Sequence, residues 1–426
     1  MYENQFTSPL RPLALAILTG LAAAVVSPAF AGEDDSPLSL TLSDRLMRDS
    51  NIGKNQSNQA DTINTTSVTL GLDKSYGRQN YKLAATAGLA RYSRTTDLNS
   101  DSKNLNGSFS TEIMRNWIVR ANGLYDEGLN QIQNNQTNKR LEKNIRKYRD
   151  GGFSVQYGNG GTWAIAGTHD GNKTSYSLQD ADNTTQDSNG LRAIYLSSDA
   201  LSFSFGGRNV KTIFPNRSNS NQTDKDIDLS SDWQITGLSM LNATLTKTRT
   251  STNQGQAKTV GGWGGSLSWA YTPHGLMSYN LQLNRSRGTD RRQGLVAANV
   301  GFFQVQDTQY GVTDTLTNSL VASAKLQATA KVSFSSSLTL VKYQQQDNNT
   351  YLNGRFAETS AKSKSEYGAG TFGLAYAATR FLNTGCSYSR YGQSRQLADD
   401  GNGTVYEIRP KFIGYSFDCN VSFTLN

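Results

Sequence analysis

The sequence predicts an all-β fold: a transmembrane antiparallel up-and-down β-barrel of about 18 strands, with short periplasmic turns and long extracellular loops. Three observations predict it. Apolar residues come singly, at alternating positions amid Ser, Thr, Asn, Gln and Gly, which is the period of a strand with one apolar and one wet face. Short turns alternate with long polar loops along the chain. Only 36% of the 426 residues are hydrophobic and the mean hydropathy is −0.56, too little for the dense core segments of a soluble protein this long.

The chain opens on a segment of another kind. Arg11 precedes an apolar run from Leu13 to Val26 and an Ala29-Phe30-Ala31 cleavage pattern. The run is shorter than the roughly 20 apolar residues of a spanning helix. Residues 1–31 therefore read as a signal peptide and residues 32–426 as the barrel, with no plug domain or soluble passenger expected.

Strands follow in order. Leu38–Met47 leads into a loop rich in Asn and Gln. Ile63–Lys74 and Asn80–Tyr92 flank the turn Ser75-Tyr76-Gly77-Arg78-Gln79. Lys103–Met114 turns into Trp117–Glu127, Tyr148–Tyr157 into Thr162–His169, and Gly190–Ser198 into Leu201–Lys211. Lys225–Gln234 pairs with Met240–Arg249, and Val260–Tyr271 turns at Thr272-Pro273-His274-Gly275 into Leu276–Arg285. Thr315–Gln327 turns into Lys331–Tyr343, Tyr367–Ala377 into Arg380–Tyr388, and Ile408–Leu425 closes the set. The count is about 18, with 16 to 20 open.

In the last strand Ile413, Tyr415, Phe417, Cys419, Val421 and Phe423 share one side, and Gly414, Ser416, Asp418, Asn420 and Ser422 the other. The polar faces are too wet for the second layer of a sandwich. Aromatic residues near strand ends, among them Tyr76, Tyr81, Tyr92, Trp117, Tyr157, Trp163 and Tyr271, suit interfacial girdles.

Period two then assigns inward positions. Lys82, Arg120, Arg192, Arg208 and Lys325 are lumen-lining candidates, beside Glu112, Asp126, Asp226, Asp228 and Asp232. Facing one another across the lumen they would set up a transverse field and an eyelet for polar solutes; paired locally they would form a hydrated wall. The segment Gly288–Asp314 carries Phe302 and Phe303 and is apolar for a free loop. It reads as a constriction folded inward, or as two more short strands.

The formal charge of +8 fits anionic surroundings, whether lipopolysaccharide phosphates, an acidic polymer or both, and fits a merely solvated basic surface equally well. A basic stretch assigned to one outer loop (Lys139, Arg140, Lys143, Arg146, Lys147, Arg149) reads by default as solvated loop charge, and it also suits the phosphates or an acidic glycan. Cys386 and Cys419 fall on the last two strands, near cross-strand partners on the lipid-facing side. Export permits a disulfide between them, and two small apolar thiols are the alternative.

Enzyme signals are poor. His169 and His274 stand far apart without H-E-x-x-H spacing, no G-x-S-x-G elbow surrounds a serine, and Gly158–Gly161 and Gly261–Gly265 lack a strand-to-helix context. No catalysis, cofactor, metal or nucleic-acid partner is expected.

One stretch carries a resemblance. Ser43-Asp44-Arg45-Leu46-Met47-Arg48-Asp49-Ser50-Asn51 is followed by Gln59-Ala60-Asp61-Thr62-Ile63 and by Leu72-Asp73-Lys74-Ser75-Tyr76-Gly77-Arg78-Gln79. Together these resemble the β-barrel porins encoded with exopolysaccharide synthesis and export systems, over about the first 100 residues. The ending Phe423-Thr424-Leu425-Asn426 departs from the terminal aromatic residue common in outer-membrane proteins. The resemblance implies a conduit in the outer membrane for a secreted polysaccharide, working with periplasmic polysaccharide-export proteins. The residues alone fit equally a diffusion porin for small polar solutes. A barrel sheathing an electron carrier is a further rival, though no C-x-x-C-H motif occurs.

Overall fold

A computed structural model describes residues 36–425, apart from residue 57, residue 274 and the segments 131–141, 159–160, 218–220, 253–259, 301–302, 352–357 and 400–404. The leader reading of residues 1–31 lies outside them. The strands are β1 (Leu38–Asp49), β2 (Asp61–Tyr76), β3 (Gln79–Tyr92), β4 (Ser100–Ile113), β5 (Trp117–Asn130), β6 (Asn144–Tyr157) and β7 (Trp163–Tyr176). They continue as β8 (Thr184–Ser198), β9 (Leu201–Ile213), β10 (Gln222–Thr236), β11 (Ser239–Thr252), β12 (Val260–Tyr271), β13 (Met277–Val300) and β14 (Phe303–Gln327). The last are β15 (Val332–Tyr351), β16 (Thr359–Ala377), β17 (Leu382–Gln393), β18 (Gln396–Asp399), β19 (Val405–Arg409) and β20 (Phe412–Leu425).

Each strand pairs antiparallel with the next from β1 to β17; β17 then pairs with β20, and β20 with β1. The result is a closed barrel of 18 strands, with β18 and β19 forming a small hairpin that joins β16 above the wall. Closure gives each of the 18 wall strands a neighbour on both sides, the condition for crossing lipid with strands. Pro410, which has no N–H to give a ladder, stands between β19 and β20, where the sequence suggested one continuous strand.

The two rims differ. One carries tight turns; Gly77 there has φ +59°, and Met114 and Arg115 have φ 52° and 63°, the left-handed geometry of short hairpins. The other rim carries the long connections. The strands run further toward that rim than the hydrophobic alternation reaches. Residues 288–300 and 303–314, read either as an inward constriction or as two more short strands, are strand: they extend β13 and β14 as one ladder from Met277↔Leu326 to Val300↔Phe303. β15 flanks that ladder up to Gln309↔Tyr351. The backbone there is paired strand and not an inward-folded loop, which corrects the constriction-loop reading at Phe303. Phe303 opens β14, and Phe302 lies outside the described residues.

The outward face exposes Leu70, Phe205 and Trp163 by 59%, 60% and 64%. Apolar side chains like these recur around the whole circumference, far beyond the few hundred Å² tolerated on a soluble surface. Hydrocarbon is the solvent they fit. At the short-turn rim the outward aromatics pair across strands, Trp117 with Tyr157 at 4.9 Å and Trp163 with Tyr195 at 4.6 Å between ring centroids. Tyr92 is the exception among the expected girdle residues. Its partner Ile63 lies on the inward face at the opposite rim.

Candidate transport lumen

The registers place Lys82, Glu112, Arg120, Asp126, Arg192, Arg208, Asp228 and Lys325 on the inward face. They do not converge on one eyelet. Most of the cations are held by a carboxylate on the same stretch of wall. Arg192 on β8 reaches Asp228 on β10 at 2.5 Å, spanning β9 above Gly206. A Cβ on Gly206 would lie 3.3 Å from both the Arg192 Nε and the Asp228 Oδ1, so glycine leaves the gap the bridge crosses.

Neighbouring pairs repeat the arrangement. Arg208 Nη2 lies 2.7 Å from Asp226 Oδ2, and Thr248 donates to Oδ1 of that carboxylate at 2.7 Å. Arg146 Nη2 lies 2.9 Å from Asp126, which also accepts from Asn104. Lys82 Nζ lies 2.9 Å from Asp73, Arg45 Nε donates to Asp418 at 2.7 Å, and Arg78 stands 3.9 Å from Glu112. Among the described residues Arg120 and Lys325 form no ion pair. Lys325 borders a recess of about 380 Å³ lined by Ser278, Asn280, Ser323, Ser335 and Thr371. A second recess of about 330 Å³ gathers Arg208, Asp226, Thr246, Thr248, Ser266 and Asn284. Hydroxyl ladders such as Thr69–Thr86 at 2.8 Å and Thr371–Ser389 at 2.9 Å fill the wall between charges.

Counted over the strand positions whose side chains are described, the inward face carries fourteen Asp and Glu against seven Lys and Arg. The wall is therefore acidic overall, although the whole chain is basic. The outward face takes the excess of positive charge.

At the long-loop rim Asp49, Ser50 and Asn51 enter a knot with residues far along the chain, Tyr391 among them, so local sequence carries no sign of it. Asp49 and Tyr391 are both buried, and the Tyr391 hydroxyl donates to the Asp49 carboxylate. Asn51, fully buried, donates from Nδ2 to the Asn55 carbonyl at 2.7 Å and to Asn58 Oδ1 at 2.9 Å. Ser50 exchanges hydrogen bonds with the backbone of Tyr415, which pins the loop after β1 to β20. Gly414 lies under the Tyr391 ring, where a Cβ would approach its carbons to 2.5 Å. Lys54 stands 6.0 Å from the centre of that ring, and burial lowers its pKa against the pull of Asp49.

Asp61, 2% exposed, ties the next loop. Its carboxylate accepts from the backbone of Thr62, Arg94 and Thr95 and from the Thr95 hydroxyl. Burial alone would raise its pKa; the four donors outweigh it and hold the carboxyl below its ordinary value. The D-S-N and Q-A-D-T segments are thus loop anchors at the mouth.

Other expectations fall elsewhere. Arg146, Lys147 and Arg149, assigned to an outer loop, lie on β6, where alternation sends Arg146 inward and the other two outward. Lys143 donates to the Asn99 carbonyl at 2.7 Å, and Lys139 and Arg140 lie outside the described residues. Cys386 and Cys419 are register partners joined by a disulfide, with an S–S distance of 2.08 Å, on the face of Tyr388 and Phe417. His169 faces outward and bonds Asn189 at 2.9 Å, and His274 lies outside the described residues.

An even-stranded closed barrel with an apolar outside and a polar inside is a transmembrane β-barrel of the bacterial outer membrane, with a channel along its axis. No family model matches the chain, and no curated sequence does. Solved structures similar to it include the siderophore receptor PirA of Pseudomonas aeruginosa, 10% identical over 92% of this chain and 81% of that one, with a TM-score of 0.40. A variant of the ferric enterobactin receptor PfeA of Pseudomonas aeruginosa is 8% identical over 92% and 82%, with a TM-score of 0.45. OccK11 (OpdR) of Pseudomonas aeruginosa is 9% identical over 91% and 95%, with a TM-score of 0.42. The likeness is one of barrel architecture.

Proposed function

We propose that the barrel is a passive outer-membrane conduit for export of a polysaccharide, driven from the periplasmic side by synthesis. The observation that carries this reading is the wall itself. Most of its cations are neutralised laterally, and Ser, Thr, Asn and Gln groups between them offer many weak, exchangeable hydrogen bonds to sugar hydroxyls. A wall of this kind holds no single unit tightly, which a sliding polymer requires. Its acidic excess repels uronate-rich chains, so the polymer is neutral or carries amino groups. The resemblance of the Asp49-Ser50-Asn51 and Asp61 segments to porins of exopolysaccharide systems supports the same assignment.

The rival is a diffusion porin for small polar solutes, for which the same wall serves. Deleting the gene separates them. Loss of surface or matrix polysaccharide with unchanged uptake of small sugars supports export. Unchanged polysaccharide with slowed uptake supports the porin and overturns the proposal.

A further inference from the structure

The outward face carries a second charge pattern, above the apolar band on the long-loop side. Lys225 on β10 stands directly opposite Arg249 on β11, and Lys247, two positions nearer the membrane, lies over the Trp263 ring at 4.6 Å. All three cations are exposed, and among the described residues none forms an ion pair. Their outward neighbours Thr223, Asn209 and Ile227 bear no charge, while Asp224 and Asp226 point to the lumen. Arg149 and Lys173 repeat the motif across β6 and β7, again without an ion pair among the described residues.

Like charges directly opposite one another in a sheet are unfavourable. On the inward face the protein supplies partners for most of its cations; here it leaves adjacent cations bare. The short-turn rim of the same outward surface is aromatic instead. That asymmetry follows the membrane's own, because only the outer leaflet displays a dense layer of phosphates at this height.

We propose that Lys225, Lys247 and Arg249, with Trp263 below them, form a binding site for the phosphates of the outer-leaflet glycolipid, lipopolysaccharide. Each phosphate would take charge-assisted hydrogen bonds from two cations, and the indole would border its acyl region at the interface.

The test measures binding of fluorescent diphosphorylated lipid A to the purified barrel in neutral detergent. Dephosphorylated lipid A and phosphatidylglycerol serve as separate arms. Wild type is expected to hold the diphosphorylated form above both others. The variant carrying Lys225→Gln, Lys247→Gln and Arg249→Gln should hold it roughly a hundredfold more weakly, at about fivefold per charge. Where the triple variant lacks the heat-resistant mobility of a folded barrel, Lys225→Gln alone should give the single fivefold loss. Equal binding by wild type and variant overturns the site. Equal binding of the dephosphorylated lipid, or of phosphatidylglycerol, overturns the assignment to glycolipid phosphate.

Discussion

At the residue scale, contacts between positions far apart in the chain hold the inner wall and the mouth of the barrel. Period two sends Arg192 inward whatever surrounds it. That it should meet Asp228 depends on Gly206 leaving an opening one strand away, and nothing in the local sequence announces it. Asp49 and Tyr391 are 342 positions apart and meet only because the barrel closes. Two substitutions follow from these contacts. Arg192→Gln leaves the Asp228 carboxylate, 12% exposed, without its cation, so planar-bilayer reversal potentials should shift toward cations, and Asp228→Asn should shift them the other way. Asp61→Asn keeps one acceptor oxygen where four donors converge, and should loosen the 93–99 loop by about 1–3 kcal/mol, seen as faster amide exchange at Arg94 and Thr95. The native carboxyl is held below its ordinary pKa, so its contribution is complete above the unfolded value and is lost as pH falls through the lowered one. Asp61→Asn should remove that acid sensitivity; exchange that stays equally acid-sensitive in the variant would assign it to another group.

At the element scale all the strands within the apolar band could be placed, because there one face meets hydrocarbon and the other water. Beyond the band both faces meet water and the alternation has no cause. Gln344-Gln345-Gln346-Asp347-Asn348 therefore read as loop although it continues β15, and Asp307–Asp314 continues β14 in the same way. Pairing there comes from the neighbouring ladders. One ladder is short: β12 and β13 share seven register pairs, from Gly265↔Arg285 to Tyr271↔Tyr279, against ten or more at every other seam of the wall. Above that point Gly261, Gly262 and Gly264 border the opening, and Arg287 fills it by donating to the Gly261 carbonyl at 2.5 Å while paired with Asp314. This seam should open first. Amides of β12 should exchange before those of β10, and a disulfide engineered between Ser266→Cys and Asn284→Cys should slow unfolding more than one between Ser230→Cys and Thr244→Cys. Equal slowing by the two would show that unfolding starts elsewhere.

At the scale of the whole molecule the chain sorts its charge by face, and composition alone misleads. A formal charge of +8 suggests a pore that favours anions, and it suggested an acidic polymer as one possible partner. The registers send the positive excess outward, toward the headgroup level, and leave the inward strand positions with twice as many carboxylates as cations. Permeating ions respond to the charges within a Debye length of their path, about 10 Å at 0.1 M salt. The outward cations also lie beyond the wall, where lipid headgroups and counterions screen them. The channel should therefore select cations over anions in a salt gradient, by several-fold at about 0.1 M. Near 1 M, where the Debye length shrinks to about 3 Å, the preference should fade. Neutralising outward Lys225 and Arg249 should leave the reversal potential where it was, whereas neutralising inward Asp228 should reduce it. Anion selectivity at low salt, or a reversal potential that follows the outward substitutions, would mean that net charge governs permeation and that the separation of charge by face does not.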